Sequence, residues 1–333
     1  HKFRYPVEAV DLFTNYAHRA AADMRPWLSA VSFANEPNAH FRGGADDYTT
    51  YLRALYGAVK AEAPEVDVAG VQVGSGSLGG HVNYVWDLFE AGGEELAEAM
   101  DVLAIQTHLM GPFEHTGWPG ILGQAREIAE RYGIGRVWTT EMGYDAYAPM
   151  EAHMPVRARA RTHLVDLVNT ERTQADRLTR AALYSLATTF DRFYAFNFQS
   201  LSPFNGMLQP WGLTRANHLR TPRPVLAALS VANRLIADTS EREALEFTTP
   251  GLWGVRFSGE DRRVDVLWSD NGPQDLPFHL AGGRQVRDIM GNPVEGNGGD
   301  EAWVSLGKSP LYVVGPSEGP ASFDEGLAVR WDE

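Results

Sequence analysis

Two glutamates stand out by the runs they end. Glu36 lies in Ser32-Phe33-Ala34-Asn35-Glu36-Pro37-Asn38, after apolar residues (Ala30, Val31, Phe33, Ala34) that read as a buried parallel strand. Pro37 cannot donate to a sheet ladder and biases its predecessor toward extended backbone, so the spacing predicts a strand that stops here with an extended Glu36 at its tip. Glu141 closes a second such run, Arg136 to Thr140. Carboxyl groups on separate strand tips can face each other across a substrate. Glycosidic cleavage needs such a pair: one carboxylic acid protonates the departing oxygen, and the other carboxylate attacks the anomeric carbon or activates water.

The elements that must position this pair follow from periodicity. A helix is predicted from Tyr5-Pro6-Val7-Glu8 to about Ala22, then the Glu36 strand, then a helix from Asp46-Asp47 to Ala63 stopped by Pro64. Val66 to Val73 reads as a strand, followed by a glycine-rich loop (Gly74 to Gly80) and a helix from Val82 to Ala99 broken at Gly92-Gly93. Val102 to Thr107 is a strand ending at His108; a helix from Pro119 to Tyr132 leads to the Glu141 strand. After a long loop come a helix (Gln174 to Phe190), a strand (Phe193 to Phe198) and a last helix (Pro224 to Ala237). This is βα five times over, which predicts parallel strands. A smaller five-stranded sheet is one solution. The other is a (β/α)8 TIM barrel: a full one takes about 250 residues, and the roughly 240 residues here supply five strands, so three N-terminal strands are expected to be lacking from this chain. The start at His1-Lys2-Phe3-Arg4, without Met or signal peptide, reads as a processed or truncated end.

Beyond Arg242 short β-type runs alternate with turns such as Asp270-Asn271-Gly272-Pro273 and Gly291-Asn292-Pro293, a pattern that predicts an antiparallel β-sandwich. The organisation expected is a barrel domain over residues 1–240, a sandwich over 241–316 and a polar, partly disordered tail over 317–333.

Composition narrows the partners. The formal net charge of −14 argues against nucleic acid and anionic membranes, and no apolar run reaches the ~20 residues of a membrane span. With no cysteine, disulfides, thiolate catalysis and Cys-ligated metals drop out. His115 and His153 lack metal-ligand spacing, and no metal or other cofactor is expected. Compartment and oligomeric state stay open, with a secreted or periplasmic setting preferred over the cytoplasm. The 9 Trp and 12 Tyr could supply sugar-stacking platforms or fill a large core.

Asn35-Glu36-Pro37 and Thr140-Glu141-Met142-Gly143-Tyr144 resemble the acid/base and nucleophile motifs of clan A retaining glycoside hydrolases, most like families 39 and 5. In that clan the two acids follow barrel strands four and seven, and the third strand after that of Glu36 is indeed the one that ends at Glu141. The resemblance implies that Glu36 is the general acid/base, that Glu141 is the nucleophile, and that Asn35 bonds the sugar 2-hydroxyl. It implies a substrate site at His108 too, although the clan's His-x-Tyr is His108-Leu109-Met110 here, and the aromatic floor after strand eight is replaced by Phe196-Asn197-Phe198-Gln199. Tyr144 is a candidate for the absent tyrosine.

Other residues carry two readings each. Trp118 and Trp211 could stack on sugars from loops or plug the core; Trp138, inside a strand, reads as core. Asn38, His40 and Phe41 follow Glu36 in the same loop. Gly74 to Gly80 lacks a phosphate-binding pattern, and Arg157, Arg159 and Arg161 read as a solvated face. The function expected is retaining hydrolysis of an oligo- or polysaccharide. The alternatives are a non-catalytic carbohydrate-binding or degenerate barrel, and a different (β/α)8 enzyme, for which no strand-tip lysine is present.

Overall fold

The structure, a computed structural model, describes residues 9–73, 80–109, 111–144, 146, 170–204, 207–209, 211–215, 219–279, 283–294, 301–318 and 328–329. Two compact units divide the chain: His1–Leu109 with His115–Met142 and Thr189–Tyr194, and Met110–Glu114 with Gly143–Thr188 and Ala195–Glu333.

The first unit runs α1 (Val10–Met24), β1 (Ala30–Ser32), α2 (Pro37–His40), α3 (Ala45–Glu62), β2 (Asp67–Val73), α4 (Gly80–Ala97), β3 (Val102–His108), α5 (Trp118–Arg131), β4 (Val137–Gly143) and β5 (Arg192–Ala195). The strands form one curled parallel half-barrel in the order β1-β2-β3-β4-β5, with β1 and β5 at its edges. The helices form where apolar residues recur three and four apart: α3 buries Tyr48, Tyr51, Leu52 and Val59. Gly44 precedes it and donates its N–H to the Asp47 carboxylate at 3.0 Å, which satisfies one of the otherwise unpaired groups at the helix start. The break expected at Gly92-Gly93 falls at Gly93, whose φ of 52° is open to glycine at little cost.

Register is fixed at the N-terminal ends of the strands by a device used twice. Asp101, just before β3, donates its N–H to the Val68 carbonyl (2.9 Å) and accepts the Val68 N–H on Oδ2 (2.7 Å). Asp191, just before β5, does the same with Val137 of β4, at 2.8 Å both ways. Arg136 adds a bidentate pair to Asp67, both bonds at 2.7 Å. Above these, Ala69, Val102, Ala104 and Trp138 pack as one cluster, with Ala30 against it; Trp138 is core, as its strand position suggested.

The second unit contains α6 (Glu171–Thr188), the hairpin β6 (Leu201–Phe204) and β7 (Met207–Gln209), α7 (Pro224–Ile236), and β8 (Glu241–Phe247), β9 (Leu252–Ser258), β10 (Arg263–Ser269), β11 (Gln274–His279), β12 (Gln285–Arg287), β13 (Glu301–Leu306), β14 (Leu311–Gly315) and β15 (Ala328–Val329). Its main sheet has the order β12-β14-β10-β9-β8-β15, and β11 pairs with β13 alone. Leu276, Val304 and Leu306 of that pair share a core with Leu252, Leu267, Val286, Leu311 and Val313. Two features went unread in the sequence. β8 escaped the sequence reading because Glu241-Arg242-Glu243 offers no apolar alternation. Within the tail expected to be partly disordered, Ala328 and Val329 pair with Phe247 and Glu246 of β8.

The buried centre of this unit is polar as well as aromatic. Phe113 packs on Tyr184, Trp253 and Trp268. The Trp268 indole N–H donates to Glu114 at 2.9 Å, and Arg180 lies 3.2 Å from the same carboxylate oxygen, both side chains being almost wholly shut off from water. Burial lifts the Glu114 carboxyl above the usual range, opposed by the Arg180 charge.

Candidate active site

The Glu36 segment is held by contacts from α1, α3 and β2. β1 ends at Ser32, two residues earlier than the apolar run suggested, because Phe33 leaves the sheet for an aromatic nest. It lies against Phe13 of α1, Tyr48 and Tyr51 of α3, and Phe41, with the Tyr51 ring parallel to it at 5.7 Å. The Tyr48 hydroxyl then donates to the Phe33 carbonyl (3.4 Å) and accepts the Val71 N–H (2.8 Å). Burial pushes the Tyr48 phenol far above its ordinary range, so it remains a neutral bridge.

That bridge ties the strand end to an irregularity in β2. The pairing of β2 with β3 slips between Gly70 and Val73, and Val71 sits at φ 68°, a strained conformation for a β-branched residue. The slip leaves the Gln72 carbonyl free to accept the Glu36 N–H at 3.1 Å. The Gln72 side chain donates to Asn35 Oδ1 and to Gln106 Oε1 of β3, both at 3.2 Å.

Glu36 itself is not extended, contrary to the expectation from Pro37. It is left-handed (φ 48°, ψ 60°), as is Ala34 at φ 56°. The reason is α2, which begins at Pro37: the Glu36 carbonyl accepts the N–H groups of Ala39 and His40, both at 2.9 Å. This turn, together with the bonds to Gln72 and Tyr48, outweighs the local preference of a residue before proline. The carboxylate is half-buried, with His40 Nε2 3.2 Å from Oε2.

Glu141 is also half-buried. β4 continues to Gly143, so Glu141 lies within the last turn of the strand rather than beyond it. The Thr139 hydroxyl donates to its carbonyl at 3.1 Å. Glu36 thus lies just past the C-terminal end of β1 and Glu141 near the C-terminal end of β4, two strands of the same parallel half-barrel with β2 and β3 between them.

The remaining candidates separate. Asn35 is exposed beside Glu36, and His108 is the last residue of β3. Trp118 opens α5 fully buried, tilted against Phe190 at 5.9 Å, so it has no face to offer a sugar. Tyr144 is likewise fully buried, in the second unit, where the charges of Glu114 and Arg180 act on it. Its side chain offers no exposed surface. Trp211, half-buried in the same unit, accepts a bond on its carbonyl from Gln174 at 3.3 Å. Phe41 belongs to the aromatic nest. Gly74 to Gly79, His153 and Arg157 to Arg161 fall outside the described residues. Among those described, no helix is long and apolar enough to cross a membrane. Gln72 and Gln106 were missed by sequence reasoning: a glutamine inside an apolar strand was the signal.

No family model matches the chain, and no curated protein does. Solved structures do. A family 39 glycoside hydrolase from the gut symbiont Bacteroides cellulosilyticus WH2 superposes with a TM-score of 0.70 at 18% identity, over 93% of this chain and 62% of that one. A family 30 subfamily 8 xylanase from Clostridium acetobutylicum gives 0.60 at 10% identity, over 93% and 72%. A family 39 β-xylosidase from Caulobacter crescentus gives 0.51 at 15%, over 93% and 73%. The chain therefore spans less than two thirds of the length of the first of these. In fold it is similar to glycoside hydrolases of clan A, the group that its two glutamate motifs resemble.

Proposed function

We propose that the chain carries the catalytic half of a retaining glycoside hydrolase acting on an oligo- or polysaccharide. The observation that carries this reading is the placement of Glu36 and Glu141 toward the C-terminal ends of two strands of one parallel sheet, the end at which barrel enzymes do chemistry. Glu36, as the acid, protonates the departing glycosidic oxygen while the Glu141 carboxylate attacks the anomeric carbon. The resulting glycosyl ester is cleaved by water, whose proton goes to Glu36, and the free sugar keeps its original anomeric configuration. Asn35 donates to the sugar 2-hydroxyl and His108 contributes to substrate binding; Trp211, in the second unit, is a separate candidate for sugar contact.

In this reading the five parallel strands are strands four to eight of a (β/α)8 barrel. Support comes from the edge of β1, unpaired among the described residues, and from apolar side chains before it in the chain that are open to water: Trp27 is 80% exposed, Leu12 74% and Tyr16 69%. Exposed edges and apolar surface of this kind are normally covered. The barrel domain over 1–240 is followed by an antiparallel domain over 241–316, in which the β11–β13 pair and the six-stranded sheet form the layers of a sandwich, and a tail over 317–333.

The test uses aryl glycosides with good and poor leaving groups. Glu141→Ala abolishes turnover of both. Glu36→Ala retains turnover only where the leaving group needs no acid, and added azide restores it by taking the place of activated water. Sugar binding without turnover by the unaltered protein would favour a non-catalytic carbohydrate-binding barrel instead.

A further inference from the structure

We infer that Gln72 is a positioning residue for the Asn35–Glu36 pair, through both its main chain and its side chain. The inference rests on the glycosidase reading above for its kinetic consequence, but its structural content stands apart from it. Gln72 touches the pair twice: its carbonyl accepts the Glu36 N–H at 3.1 Å, and its carboxamide donates to Asn35 Oδ1 at 3.2 Å. Nothing in the local sequence requires this, because Asn35 and Gln72 belong to different strands' ends. It is arranged by the slip in β2 at Val71, which the Tyr48 hydroxyl holds.

The side-chain contact decides what Asn35 can do. With its Oδ1 engaged by Gln72, the Asn35 carboxamide has Nδ2 as the group to offer a ligand, and that group is a donor only. A sugar hydroxyl oxygen is the acceptor that it suits. Without Gln72, the exposed Asn35 amide would rotate freely and present oxygen or nitrogen alike.

The other end of the relay is built for the same purpose. Gln72 Nε2 also donates to Gln106 Oε1, so Gln106 fixes the orientation of the Gln72 amide. Both glutamines are nine-tenths buried or more, and Gln72 Oε1 and Gln106 Nε2 have no hydrogen-bond partner among the described residues. Buried amides left partly unpaired lower stability. A leucine pair of the same size would pack better there, so the polar pair is retained at a cost to the fold.

Gln72→Leu and Gln72→Glu test this. Leucine removes the donor while keeping the volume; glutamate keeps the shape but can only accept, so Asn35 must turn its Nδ2 inward. Both are expected to lower kcat on aryl glycosides on the order of 10- to 100-fold with little change in KM, and the paired replacement Gln72→Leu with Gln106→Leu, which leaves no buried amide unpaired, to melt no lower than the unaltered protein. In the Asn35→Ala background Gln72→Leu should have no further effect, whereas a merely structural role would give multiplying losses, which would overturn the inference. A crystal structure of Gln72→Leu decides the point without turnover: a rotated or disordered Asn35 amide supports it, and an unmoved amide overturns it. Absence of turnover in the unaltered protein would sink the glycosidase reading and leave this structural outcome to judge the positioning role.

Discussion

The Tyr48 hydroxyl accepts the backbone N–H of Val71 at 2.8 Å, joining a helix to a strained point in the neighbouring strand. Tyr48→Phe leaves that N–H buried without a partner, which costs about 1–3 kcal/mol. It also releases the Phe33 carbonyl, so Glu36 loses its fixed approach. Thermal melts should show the loss of stability, and kinetics a larger fall in kcat than stability alone explains at temperatures where the variant is folded.

If Glu36 and Glu141 work by double displacement, the first product formed has the anomeric configuration of the substrate. Proton NMR of the anomeric signals, recorded before mutarotation, checks this. Initial inversion would mean that a water molecule acts directly between the carboxylates.

Glu171 receives two bonds from Arg215, both at 2.7 Å, with the buried Arg223 behind it at 3.7 Å. The Arg215 guanidinium holds the Glu171 carboxyl below its ordinary 4.5. The native state therefore binds this proton less readily than the unfolded chain does. The stabilisation is complete above that ordinary value and is lost as pH falls through the lowered one. Glu171→Gln should lower stability at pH 7 by about 1–3 kcal/mol, and the gap to the unaltered protein should narrow below pH ~4 in melts followed by circular dichroism.

Glu114 and Arg180 form a buried pair beside Trp268. Glu114→Gln takes the paired carboxylate from the buried Arg180 and should destabilise by about 3–5 kcal/mol. Replacing both, as Glu114→Leu with Arg180→Met, should recover much of that loss. Denaturant midpoints of the three variants test the order.

Trp118→Ala removes a fully buried ring and should lose about 3–5 kcal/mol. Trp118→Phe should melt slightly lower with KM unchanged. A raised KM for Trp118→Phe would return this residue to the substrate site.

Strand and helix positions were legible because they depend on period: the apolar runs before Glu36 and Glu141, the stripe of α3 and the break at Gly93 are local facts. The backbone of Glu36 was not legible. Its left-handed turn is made with Ala39 and His40 of α2 and held by Gln72 of β2 and Tyr48 of α3, and no window around Pro37 contains the last two. Aromatic residues stayed open between two readings for a related reason. Trp118 and Tyr144 have the right chemistry for sugar contacts, but burial decides their use, and burial is a property of the folded chain. β8 was hidden because its first three residues, Glu241, Arg242 and Glu243, are all exposed and give no apolar alternation.

The paired aspartates before β3 and β5 have a consequence for how such a protein changes over time. Each clasp binds its own two-strand segment, at the end of the sheet away from both glutamates. Loops at the opposite end can then lengthen, shorten or be exchanged with relatives while the strands keep their alignment. Specificity becomes heritable separately from foldability, and a graft of β2–β3 or β4–β5 with its aspartate intact should be accepted as a cassette.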